Sequence, residues 1–160
     1  MTEVLGPRGT AASVLVWRGL LALTVIGILA TAFELATERH WNSPEQLIPW
    51  VALVVLVVAT ALLTIGGGRG VAVARVLALL VVVASIYGVI THIVVNYDAG
   101  ALDQRYADAW DSLPMLRRWW YAVTKTVGPA PTLAPGVLGQ TAVLLLLATL
   151  NSPRHPSTNG

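Results

Sequence analysis

The chain has 160 residues, of which 56% are hydrophobic and 11% charged, with a formal net charge of +2, a mean hydropathy of +0.71 and no cysteine. Soluble domains carry about 25% charged residues, so this composition predicts a bilayer protein. The slight positive excess forms no basic stripe and gives no reason to expect nucleic acid as a partner, and the missing cysteines exclude disulfides, thiolate metal sites and a cysteine nucleophile.

In chain order, the first apolar run covers residues 15–35. Arg8 before it and Ala30-Thr31-Ala32 near its end allow a cleaved signal peptide as an alternative. Arg18 inside the apolar boundary, and a run that continues through Phe33, favour an uncleaved helix instead. Thr24, Gly27, Thr31, Glu34 and Glu38 recur at helical spacing and form a polar and small-residue face that should point toward other helices.

The stretch "HWNSPEQLIPW" follows as a turn. Ser43 suits the N-cap, Pro44 the first helical position, Glu45 the positive first turn and Gln46 the return bond of a capping box. The second run, residues 47–65, holds Pro49 in its expected first turn; "GGGRG" then forms a tight turn, since it lacks the Lys-Ser or Lys-Thr of a phosphate loop. The third run, residues 71–95, carries its own polar stripe of Ser85, Gly88, His92 and Asn96.

An outer loop, residues 98–132, comes next. Leu102, Tyr106, Trp110 and Leu113 recur with helical spacing and predict a surface helix broken at Pro114, with Asp111 or Ser112 capping a second short helix. Trp41, Trp50, Trp110, Trp119 and Trp120, with Arg117 and Arg118, are expected as interfacial anchors, indoles at headgroup depth and guanidiniums on lipid phosphates. "VGPAPTLAPG" is an extended proline-rich lead into a fourth run, residues 133–150, with Pro135 in the first turn, and residues 151–160 read as a disordered tail.

A span needs roughly 20 apolar residues, so the four runs predict an all-α fold: a single four-transmembrane-helix bundle over residues 1–150, with a short interfacial helical cap between the third and fourth helices. Arg69 and Arg75 beside the shortest loop place both termini in the cytoplasm of a multi-pass cell-membrane protein. Arginine far outnumbers lysine, with Lys125 alone, and alanine and valine abound, a bias typical of GC-rich bacterial genomes.

At that orientation Glu34, His92 and Gln140 fall near one outer depth, with His40 close by, and form the candidate polar cluster. A proton or metal site could use such groups, but an interhelical hydrogen bond or a snorkelling carboxylate explains them more simply. No serine-histidine-acid or zinc-ligand spacing is present, and no cofactor is expected.

The turn "HWNSPEQLIPW", "LAPG" at the start of the fourth run and "RHP" after it resemble a group of small four-span bacterial membrane proteins. The resemblance implies the four-span topology and a part for His40, Pro44, Pro135, Gly136 and His155 in fold or tail, and it carries no activity. The expectation is a non-catalytic accessory or scaffold component, bound to the bilayer and to a membrane-protein partner or a second copy of itself. The alternative is a small transporter or an ion- or metal-handling protein; an enzyme ranks third.

Overall fold

A computed structural model describes residues 7–152; the tail beyond, with Arg154 and His155, lies outside the described residues. Every regular element there is helical: α1 (Pro7–Thr37), α2 (Pro44–Ile65), α3 (Gly67–Ala99), α4 (Met115–Val123) and α5 (Ala134–Leu150), with single 3-10 turns at Gly100–Leu102 and Trp110–Ser112. Among the described residues three helices, α1, α2 and α3, are long and apolar enough to cross a membrane, and α5 is a shorter apolar helix of 17 residues.

Local chemistry sets most helix ends. Ser43 caps α2 by accepting the Gln46 backbone N–H at 3.4 Å, and the Gln46 side chain accepts from the Asn42 N–H at 2.7 Å, one residue before the usual target of a capping box. Because α2 starts at Pro44, Pro49 lies in the second turn rather than the first, and its missing N–H costs the helix one bond.

Helix α1 ends with Arg39 at φ 50, the His40 N–H returning to Leu35 O at 2.9 Å and the Arg39 N–H to Ala36 O at 3.2 Å. Helix α4 ends the same way, with Lys125 at φ 55 and the Thr126 N–H on Tyr121 O at 2.8 Å. Both are Schellman closures in which a cation replaces glycine, and its charge suits the carbonyl end of the helix. Between α2 and α3 only Gly66 is non-helical; a Cβ there or at Gly70 would meet the Leu62 carbonyl oxygen at 2.5 Å, so the corner requires both glycines.

The chain divides into two compact units, one comprising residues up to Ala84 together with Leu138 onward, the other Ser85–Val137. In the first unit, α2 contributes Ala52, Leu56, Ala59 and Leu63, α3 Ala74, Ala78 and Val81, α5 Leu138, Ala142, Leu145 and Ala148, and α1 Ile28 to one apolar cluster. Steps of three and four put these residues on one face of each helix. Alanine at so many contacts keeps the backbones close. Gly27 on α1 goes further, since a Cβ there would overlap the Thr141 side chain of α5. Many other large apolar side chains point outward: Leu15 and Phe33 are each 73% exposed and Ile65 82%.

In the second unit the loop of residues 98–132 departs from its expected helical course. Residues 104–109 form turns, not a surface helix, and between α3 and α5 only 115–123 are α-helical. Asp103 holds this path, accepting the Arg105 backbone N–H and side chain at 3.0 Å each and a second guanidinium bond at 2.8 Å. Such a side-chain turn competes with helix formation. Neither Asp111 nor Ser112 caps α4, whose N-cap is Pro114; the Ser112 hydroxyl bonds back to Ala109 O at 2.7 Å.

Candidate functional site

The polar stripe of α1 is interior only in part. Thr24 and Thr31 are buried, but Glu34 and Glu38 beyond them are exposed, contrary to an inward-facing carboxylate. One helical turn past the packed core, water is the cheapest partner for a carboxylate. Gln140 is exposed as well, and His40, half-buried in the α1–α2 turn, accepts the Trp50 indole N–H on its carbonyl at 2.7 Å. Glu34, His40 and Gln140 belong to the first unit and His92 to the second. Among the described residues no group of three or more His, Asp or Glu side chains gathers as metal ligands would.

The stripe on α3 leads to the most organised polar site in the second unit. Asn96 is fully buried. Its amide nitrogen donates to Ala130 O at 2.9 Å, Ala122 O at 3.2 Å and the Thr132 hydroxyl at 3.2 Å, while its Oδ1 accepts the Ala130 N–H at 2.8 Å. One turn earlier, His92 Nδ1 lies 2.9 Å from Pro131 O. A carbonyl only accepts, so Nδ1 carries the proton in this arrangement.

The reason lies in the "GPAPT" segment. Residues 126–130 run as irregular bends rather than the extended course expected, and two donors spaced 92 and 96 on α3 meet two successive carbonyls there, Ala130 O and Pro131 O, the second of which also takes the Ala134 N–H at 3.1 Å. Gly128 at φ +81 completes the fit, because a Cβ there would overlap Asn96. Gly88 likewise admits the ring of Pro135, which a Cβ would meet at 2.9 Å. A Cβ at Gly136 would meet nothing within 4 Å.

The expected anchors separate into different environments. Trp110 is the correction: at 3% exposure it is an internal plug, its ring lying against Gly100 and edge-on to Tyr97 at 5.6 Å. With residues 104–109 in turns, the helical wheel that placed it at the surface does not apply. Trp119 stacks on Tyr97 at 4.4 Å, and the Arg118 guanidinium lies over the same ring at 5.7 Å. Trp120 at 64%, Trp41 at 49% and Arg117 stay exposed, while Trp50 is half-buried and tilted against Trp41 at 6.3 Å. Arg105 is closed onto Asp103 and onto Thr126 O at 2.6 Å, and it holds the Asp103 carboxyl below the ordinary carboxylate range through these side-chain bonds, assisted by its backbone N–H.

Asn96 was legible as a stripe member, but nothing local marked it as the residue that organises the loop. No protein-family profile, curated protein or solved structure matches this chain.

Proposed function

We propose that the chain is a bacterial integral membrane protein with four spans, α1, α2, α3 and α5, both termini in the cytoplasm and the loop of residues 98–132 on the opposite side. In this reading it acts as a non-catalytic accessory or scaffold protein, with a membrane-protein partner or a second copy of itself.

The observation that carries the membrane reading is the wide exposure of large apolar side chains around a core of leucines and closely packed alanines, with Leu15, Phe33, Ile65 and Leu150 at 68–82% exposure. In water that surface would far exceed the few hundred Å² of contiguous apolar patch usual for a soluble monomer. At 17 residues α5 is at the short end of the spanning range, and the adjoining Leu133 is exposed and apolar. The scaffold reading is supported by how the second unit spends its polar groups, with Asn96, His92 and Arg105 bonded to backbone oxygens of the same unit. The transporter or metal-handling alternative rests on Glu34, His92, Gln140 and His40; among the described residues no three His, Asp or Glu side chains gather as metal ligands would.

Single cysteines introduced at positions 68 and 104 test the topology. Position 104 should react with an impermeant reagent on intact cells and 68 should not; the reverse pattern would invert the orientation. Pull-down in mild detergent with metal analysis addresses the rest: a stoichiometric protein partner is expected, and a bound metal without one would favour the alternative.

A further inference from the structure

Charge in the first unit is unevenly distributed along its helices. Its acidic groups among the described residues, Glu34, Glu38 and Glu45, surround the α1–α2 turn, where Arg39 is their one cationic neighbour, whereas Arg69 and Arg75 lie near the α2–α3 corner with none of these carboxylates beside them. Arg18 precedes the α1–α2 turn by about 20 residues and is thereby level with the last turn of α2, since both helices rise about 1.5 Å per residue. All three arginines are exposed, and none makes an ion pair among the described residues.

Arg75 is additionally positioned. Its Nε donates to the Thr149 hydroxyl at 3.2 Å; that hydroxyl, 4% exposed, spends its own proton on Leu146 O at 2.7 Å and so faces Arg75 as an acceptor. The bond fixes the guanidinium through Nε. Its two terminal amino groups, the part that grips an oxyanion as a fork, have no protein acceptor among the described residues. A guanidinium about 12 Å along a membrane-length helix reaches for the headgroup layer, and basic sites between helices at a cytoplasmic face suit anionic headgroups.

We propose that Arg75, held by Thr149, seats the phosphate of an anionic phospholipid at the α2–α3 end of the first unit, with Arg18 and Arg69 adding to the positive field. This rests on the membrane reading above, but the two can fail separately. Recovery of the protein from the soluble fraction would defeat the membrane reading, whereas a membrane-extracted protein indifferent to headgroup charge would defeat only this one.

The test uses the full chain in neutral detergent with phosphatidylglycerol, phosphatidylcholine or inorganic phosphate, reading retained lipid by native mass spectrometry alongside melting temperature. The native protein should retain phosphatidylglycerol preferentially, and R75Q should retain it about tenfold less, the scale of one charge-assisted hydrogen bond. T149V keeps the charge but frees the guanidinium, and it should weaken retention severalfold while still folding. Equal retention of both lipids, or undiminished phosphatidylglycerol on R75Q, would overturn the proposal. If R75Q does not fold, undiminished retention by folded T149V overturns it equally. Stabilisation by inorganic phosphate matching that by phosphatidylglycerol would reassign the seat to a soluble anion and overturn the lipid assignment.

Discussion

Replacing Asn96 probes the second unit at the point where its loop is fastened to α3. The amide has two hydrogens for three acceptors, and its Oδ1 takes a fourth contact, so about three full hydrogen bonds are at stake. At roughly 0.5–1.5 kcal/mol each, with the Ala130 N–H left facing an apolar methyl, Asn96→Ala should destabilise this unit by about 3 kcal/mol. Were each bond worth only the ~0.6 kcal/mol measured between membrane helices, the loss would be about 2 kcal/mol. Asn96→Asp is the sharper variant. It preserves shape and can still accept from Ala130, but it turns an acceptor toward Ala122 O, Ala130 O and the Thr132 oxygen, and so should cost more than alanine does. Hydrogen exchange over residues 122–132 in mild detergent, with limited proteolysis of the loop, reads the effect separately from the first unit. Asn96→Asp as protected as the native chain, or Asn96→Ala costing under about 0.5 kcal/mol by the same measure, would refute this account of the fastening.

Gly27→Val should destabilise the first unit by about 1–3 kcal/mol through overlap with Thr141, and Thr141→Ala should recover part of the loss; additive unfolding free energies would show that the two do not touch. Trp110→Ala should cost about 3–5 kcal/mol in the second unit, whereas Trp120→Ala, at an exposed position, should leave its unfolding nearly unchanged. The Asp103 carboxyl has a folded pKa below its unfolded value near ~3.9, so its stabilisation is present above that value and is lost as pH falls through the lower one. Exchange protection of residues 103–109 should therefore hold from neutral pH to about pH 4 and decline below it. Arg105→Gln should remove both the protection and its pH dependence, and a decline that persists in that variant would assign it to another group.

The difference between what was readable from sequence and what was not follows the range of the interactions. The start of α2 was legible because Ser43, Pro44 and Gln46 act within three residues of one another, so residue type and spacing carry the whole mechanism. The closures of α1 and α4 were not, because Arg39 and Lys125 hold positive φ where glycine is the usual signal, and only the fold around them makes that conformation worthwhile. The apolar spacing of Leu102, Tyr106, Trp110 and Leu113 gave a wrong helix because periodicity implies a face only if the backbone is already helical, and the Asp103–Arg105 turn redirects it. Asn96 is the limiting case: its partners lie 26, 34 and 36 residues away and are mostly backbone groups, which every sequence has. What could have pointed to it is the pairing of two features read separately, the His92 and Asn96 donors one turn apart on α3 and a proline-broken segment whose backbone forms no regular helix or strand ladder. Such a segment forms few backbone bonds of its own, so both the N–H and the C=O of Ala130 pair with a side chain, and a polar pair at spacing four on the preceding helix is where to look for it.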